Sequence, residues 1–161
     1  MGLRRKILVM SSLLILTVGS LIAADLTLIP EQAGGWYIQL DENMLSQGAG
    51  SDFLSSIVSS TSCERLAVDT DTQDDPWSIL VMLQSDATPF IVEVLITDEG
   101  VGDHTASYSD DFQVVSTESM TMISGTGDRS DITVQYRLTG ISIETISSTQ
   151  SSMGLLYVLS L

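Results

Sequence analysis

The chain has one cysteine, Cys63, one histidine, His104, and six basic residues against 21 acidic ones across its 161 positions. A single cysteine excludes an internal disulfide, so stability has to come from burial. A chain of this size can achieve that, since domains of about 150 residues bury roughly 70% of the surface their unfolded chains expose. Cys63 itself reads as a small buried apolar residue, with an intermolecular disulfide as the alternative. A structural zinc site or a Cys-His nucleophile pair would consume every copy of both residue types, which sets both aside. The shortage of cations argues against nucleic acid and anionic lipid head groups as partners, because both reward basic patches. Asn43, the only asparagine, is followed by Met-Leu and makes no glycosylation sequon. There is no Gly-x-Ser-x-Gly elbow, and Gly125-Thr126-Gly127 leads into a strand pattern instead of the helix a phosphate loop needs.

Three of the six basic residues, Arg4, Arg5 and Lys6, stand just before an apolar run from Ile7 that reaches small residues at Gly19, Ser20, Ala23 and Ala24. This is the layout of a secretory signal, residues 1–24, with Ile22 and Ala24 at the positions before the cut. The mature chain is expected to begin near Asp25 and to be secreted or displayed at the cell surface. A retained anchor is the competing reading, since Ile7 to Ala24 reaches the lower edge of a membrane-spanning length. Leu3-Arg4-Arg5-Lys6-Ile7-Leu8 also resembles a twin-arginine signal, although the apolar core suits the general secretory route better. No cysteine marks the end of the run for a lipid anchor.

The whole chain carries a formal charge of −15. Without the leader, Arg65, Arg129 and Arg137 face all 21 acidic residues, no lysine remains, and the formal charge becomes −18. Such a surface attracts cations. It serves solubility or a salty medium, where charges are screened within roughly 3 to 10 Å, or it holds specific divalent ions.

The apolar pattern has period two, which specifies strands with one buried face. From Asp131 to Leu138, Ile132, Val134, Tyr136 and Leu138 alternate with Thr133, Gln135 and Arg137. The same reasoning gives strands at Trp36 to Leu40 and Trp77 to Leu83. Phe90 to Ile96, apolar on both faces apart from Glu93, reads as a central strand or one covered by a loop. Shorter runs lie at Leu26 to Ile29, Leu66 to Val68, Phe112 to Val115, Met120 to Ile123, Ile141 to Ile146 and Leu155 to Leu161. Polar breakers separate them, including Asp74-Asp75-Pro76 and Gly125 to Arg129. The expected fold is all-β: an antiparallel β-sandwich, immunoglobulin-like or jelly-roll-like, in a single domain spanning 25–161. Phe53, Leu54, Ile57 and Val58 have helical spacing, so a short helix is expected near residues 52–58, capped by Ser51 or Asp52, with an extended crossing loop as the alternative.

Gln47-Gly48-Ala49-Gly50-Ser51-Asp52-Phe53 and the run Ser124-Gly125-Thr126-Gly127-Asp128-Arg129-Ser130-Asp131-Ile132-Thr133-Val134-Gln135-Tyr136-Arg137-Leu138-Thr139-Gly140-Ile141-Ser142 resemble segments of small exported bacterial proteins with a signal peptide and a β-sandwich. The likeness covers about a third of the chain. It implies compartment and fold and supplies no site residues. In that group the last strand alternates Thr or Val with aromatics, whereas Leu155 to Leu161 here is more apolar. A looser likeness to subunits of fimbriae and spore coats is one of fold.

Asp69, Asp71, Asp74 and Asp75 concentrate carboxylates between two expected strands, the oxygen-rich setting a calcium ion takes. They do not form an EF-hand, because Asp74 stands where the glycine belongs and Leu80 where the bidentate Glu belongs. Asp98, Glu99, Asp103 and His104 occupy a second acidic loop. Asp98 and Asp103 could complete a cation site if the two loops share an end; His104 could act as a general base. The plainer reading of both loops is a solvated turn. No other cofactor is implied. Among the aromatics, Trp36, Trp77, Phe90, Phe112, Tyr136 and Tyr157 read as core, while Tyr37 and Tyr108 read as exposed and are the candidates for stacking on a sugar. These features point to a non-enzymatic structural or adhesive protein of the cell surface or extracellular matrix, self-associating or meeting other surface proteins through strand edges. The candidate edges are Leu26 to Ile29 and Leu155 to Leu161, the latter also reading as an ordinary buried central strand. The alternatives are a calcium- or glycan-binding module and a hydrolase built around His104.

Overall fold

The computed structural model describes residues 5–13, 24–32, 35–40, 42–47, 52–85, 89–142, 144 and 150–161, with 5–13 given by its backbone course. In chain order the strands are β1 (Arg5–Leu13), β2 (Asp25–Pro30), β3 (Trp36–Leu40), β4 (Ser56–Val58), β5 (Glu64–Asp69), β6 (Pro76–Leu83), β7 (Ile91–Asp98), β8 (Val101–Gly102), β9 (Ser107–Tyr108), β10 (Gln113–Val115), β11 (Met120–Thr126), β12 (Arg129–Thr139) and β13 (Gln150–Ser160). One sheet runs β3-β1-β13-β6-β11-β9; the other runs β10-β7-β12-β5-β2, with β4 and β8 also bonded to β12. Every pairing is antiparallel except that of β1 with β13. The two sheets face each other, so the molecule is a β-sandwich.

The inner faces are the alternating rows expected of half-buried strands. Trp77, Ile79, Val81 and Leu83 of β6 and Met153, Leu155, Tyr157 and Leu159 of β13 line one sheet. Leu66 and Val68 of β5, Val92, Val94 and Ile96 of β7, and Ile132, Val134, Tyr136 and Leu138 of β12 line the other. In β11 the register shifts between Thr121 and Ile123, which lets the consecutive residues Met122 and Ile123 both enter the core.

The helix expected near 52–58 is not there. Ile57 of β4 pairs with Leu138 of β12, Phe53 and Leu45 form an isolated bridge, and among the described residues of this stretch the one helical turn is a 3-10 turn at Glu42–Met44. The reason lies in β12. Strand β5 covers it only from Arg129 to Val134, leaving the stretch from Arg137 to Thr139 in need of a neighbour, and Ser56–Val58 supplies it. Leu54 and Val58, half of the supposed helical stripe, face solvent. Of the expected strand Ile141 to Ile146, Ile141 and Ser142 follow β12 outside any ladder, Glu144 lies in a turn, and 143, 145 and 146 lie outside the described residues, as do Gly48, Gly50 and Ser51.

Two termini of the sequence pattern have a definite place. Strand β13 is central, bonded to β1 on one side and β6 on the other, whereas β2 is terminal in its sheet and bonded to β5. Strand β1 comes from the stretch that reads as a secretory leader. Among the described residues no helix is long and apolar enough to cross a membrane.

Because Ile132 is fully buried, Ile132→Ala is expected to lower unfolding free energy by about 2–5 kcal/mol. Val101→Ala, at a side chain 72% exposed, should change it by no more than about 0.5 kcal/mol. Urea titration of the two variants checks the contrast.

Candidate functional site

The two acidic loops do share one end of the sandwich. The turn after β5, carrying Asp71, Asp74 and Asp75, meets the loop after β7, carrying Asp98, Glu99 and Asp103, where Gln73 donates from Nε2 to Asp103 Oδ2 at 2.9 Å. A third segment, Gly127-Asp128 between β11 and β12, lies against both. Thr70 donates from its backbone N–H and its hydroxyl to Asp128 Oδ1 at 2.8 and 2.9 Å, bonds that hold that carboxyl below its ordinary range. Gly127 donates to the Asp75 carbonyl at 3.0 Å and accepts the Trp77 indole N–H at 2.7 Å. Its φ of 67° and the Gln73 carbonyl, 2.5 Å from where a Cβ would sit, make this a position for glycine alone.

Asp128 and three more of the carboxylates at this end tie loops to backbone amides. Asp75 accepts from Thr72 N–H at 3.0 Å, Asp98 from Gly100 N–H at 2.8 Å, and Glu99 from Ala106 N–H at 2.8 Å. Asp69 and Asp74 are exposed, and Asp69 stands opposite Asp25 across the β2–β5 ladder. Among the described residues no group of three or more His, Cys, Asp or Glu side chains is placed to hold a metal ion.

The organiser of this end is a residue that reading by periodicity does not single out. Arg129 is 3% exposed. Its Nη1 donates to the Glu99 carbonyl at 3.0 Å and, more weakly, to the Gly100 carbonyl at 3.4 Å, its Nη2 donates to the His104 carbonyl, and the Glu99 carboxylate lies 3.3 Å from Nη1. His104 thus enters the structure through its backbone. Gly102 lies over the guanidinium, with Cζ and Nε 3.2 Å from where a Cβ would project. One guanidinium therefore fixes the loop from Glu99 to His104.

A second polar group lies inside the sandwich. Glu64, 1% exposed at the start of β5, accepts from the Tyr136 hydroxyl, which is also hydrogen-bonded to the Tyr157 hydroxyl of the opposite sheet. Burial, reinforced by the carboxylate, pushes both phenols well above their usual range. Trp36 stacks on Tyr136 with centroids 6.2 Å apart and rings 18° from parallel. Cys63 is buried as expected, and burial pushes its thiol up to about 11. Above it a cavity of about 240 Å³ is lined by Glu31, Trp36, Tyr37 and Ser60, among others. Glu64 was legible in principle, since it is in phase with Leu66 and Val68.

On the outer face of the second sheet, Arg137 grips Glu93 through Nε at 2.7 Å and Nη2 at 2.6 Å, and its guanidinium lies 4.1 Å from the Phe112 ring centroid. This explains the charge at Glu93 in the otherwise apolar run from Ile91 to Ile96. Phe112 is accordingly an outer-face residue, not a core one. Trp77, Phe90, Tyr136 and Tyr157 are buried, Trp36 is half-buried, and Tyr37 and Tyr108 are exposed.

No protein-family model and no curated protein matches the chain.

Removing the Arg129 guanidinium leaves the Glu99, Gly100 and His104 carbonyls without its N–H donors and Glu99 without its cation. Arg129→Met is expected to cost about 1–3 kcal/mol and to open the Glu99 to His104 loop to proteolysis, read by urea titration and by mapping the first cleavage site. Hydrogen bonds from Arg137 hold the Glu93 carboxyl below its ordinary range. Its stabilisation is present above the unfolded carboxylate pKa and lost as pH falls through the folded one. Melting temperature followed from neutral pH into acid should therefore fall less steeply for Glu93→Gln than for the parent. At the alkaline side the sign reverses. Tyr136, Tyr157 and Cys63 have raised folded values, so stability is lost as pH rises past the pKa values of the unfolded chain, and Tyr157→Phe should reduce that loss.

Proposed function

We propose that the chain is exported and works as a non-enzymatic structural or adhesive subunit of the cell surface or extracellular matrix, assembling through its sheet edges. The observation that carries this reading is the lateral margin formed by β2 and β3. Each is terminal in its sheet order, and β2 packs across from β13, on the β3 side of the other sheet, so the two ends lie on one side of the sandwich. Ile29 on β2 is 54% exposed and Tyr37 on β3 is also exposed. Terminal strands present backbone donors and acceptors to a neighbour, and an exposed apolar side chain adds contact area. The surplus of acidic residues keeps such a margin from collapsing onto unrelated proteins while leaving pairing by main chain available. The leader-like N-terminus and the likeness to small exported β-sandwich proteins support the compartment.

A second reading, a calcium-binding extracellular module, is favoured by the Gln73–Asp103 bond, which joins the two acidic loops. Calorimetric titration with calcium separates the two. Heat that disappears in the Asp71→Ala, Asp74→Ala double variant supports the module.

For the subunit, sedimentation velocity of the exported product should show mass rising with concentration. Ile29→Lys should move the transition to at least about tenfold higher concentration, the equivalent of about 1.4 kcal/mol. A monomer at every concentration, with and without calcium, would count against assembly.

A further inference from the structure

Strand β1 fills a place that nothing else in the sandwich fills. It lies between β3 and β13, antiparallel to the first from Arg5 opposite Leu40 to Val9 opposite Trp36, and parallel to the second from Lys6 opposite Gln150 to Leu13 opposite Tyr157. Yet the same residues carry the leader pattern. Ala24 is 5% exposed and Asp25 opens β2, so the peptide bond after Ala24 is out of reach in the folded sandwich. Resting on the export reading above, cleavage there precedes folding, and the product folds without β1.

In the folded chain β1 separates β3 and β13 by two strand spacings, roughly 9.5 Å, and once it is gone β3 is held by the packing of Ile38 and Leu40 instead of by a ladder. The gap is bordered by the buried residues Ile38 and Leu40 on one side and Met153, Leu155 and Tyr157 on the other. Unpaired main-chain groups would line both walls, and the core would be open to water between them. We infer that this slot takes the β2 segment of a second copy, running parallel to β13 as the leader strand does.

Three features select that occupant. In its own sheet β2 is bonded to β5 alone among the described strands, whereas in the slot it exchanges that single ladder for one on each side. Asp25 is its only charged residue, and β13 has none, so the contact escapes the repulsion of two strongly acidic chains. Leu26 and Leu28 alternate with Thr27 and Ile29, which supplies the apolar phase that the neighbouring rows require. An exchange of this kind closes as a dimer when two copies swap reciprocally and otherwise continues head-to-tail into a ring or a filament. The alternative is closure within one chain. Strand β3 runs antiparallel to β1 and β1 parallel to β13, so β3 and β13 have the right relative direction to pair directly.

The test uses the exported product recovered after expression of the full chain, its N-terminus fixed by intact mass, with a synthetic peptide of residues 5–13 as competitor. Oligomers that the peptide disperses, raising the concentration for assembly at least about tenfold, support the slot. In a Cys63→Ser background, an intermolecular disulfide between Thr27→Cys and Leu156→Cys identifies β2 as the occupant. Oligomers that ignore the peptide and form no such cross-link overturn the slot while leaving edge assembly standing. A product that stays monomeric overturns the second copy as occupant, whether or not it binds the peptide. A product still carrying residues 5–13 overturns the leader reading on which the inference rests.

Discussion

The alternation along β12 is the constraint on which the rest of the sandwich depends. Ile132, Val134, Tyr136 and Leu138 are fully buried, and their backbone bonds reach β7 on one side and β5 followed by β4 on the other. With that row fixed, the positions of four neighbouring strands are fixed with it. The Tyr136 hydroxyl then ties the layer to Tyr157 of the opposite sheet and to Glu64. A polar line of this kind in a dry core is favourable only when each member has a partner, and the partners come from three separate strands. It therefore favours one alignment of the two sheets over its neighbours.

At its start the same strand changes phase. Asp131 has a φ of 57°, and the register against β5 shifts between Arg129 and Ile132. The extra residue of a bulge turns Arg129 inward although it stands three positions before Ile132. Without it the guanidinium would point to water and the Glu99 to His104 loop would lose its anchor. Arg65 lies 3.6 Å from the Asp131 carboxylate, but both are exposed and that pair contributes little. The bulge, more than any ion pair at the surface, holds the acidic end together.

This explains what could and could not be read from the sequence. Rows with unbroken period two, such as Trp77 to Leu83 and Ile132 to Leu138, announce their buried face because one chemical rule decides every position. Arg129 escapes that rule, since the bulge that buries it is invisible in the alternation. The spacing of Phe53, Leu54, Ile57 and Val58 misleads because local pattern competes with a vacancy beside β12, and the vacancy depends on where the distant strand β5 ends. The candidate calcium residues show the same limit. Composition flagged Asp69 to Asp75 and Asp98 to Asp103 equally well, but only the fold shows that Gln73 bridges them and that Asp75, Asp98 and Glu99 bind backbone amides. Asp75, Asp98, Glu99 and Asp128 work here as loop fasteners, each replacing a missing main-chain partner.

The same contest between local pattern and distant neighbour governs the leader strand. An apolar run with few charges satisfies an export apparatus, and it equally satisfies a central place in a sheet, where both edges are paired. Its partner β13 is remote: Val9 stands opposite Met153. Ladders between segments so far apart in sequence close late, because the entropy of the intervening loop must be overcome first. Strands β6, β11 and β12 are joined by shorter connections and can form their rows earlier. The last gap to be filled in this sandwich is then the one between β3 and β13, and it stays open longest while the rest of the core is already built. A segment from another chain meets that gap under the same conditions as the chain's own strand, with local concentration as the only advantage of the latter.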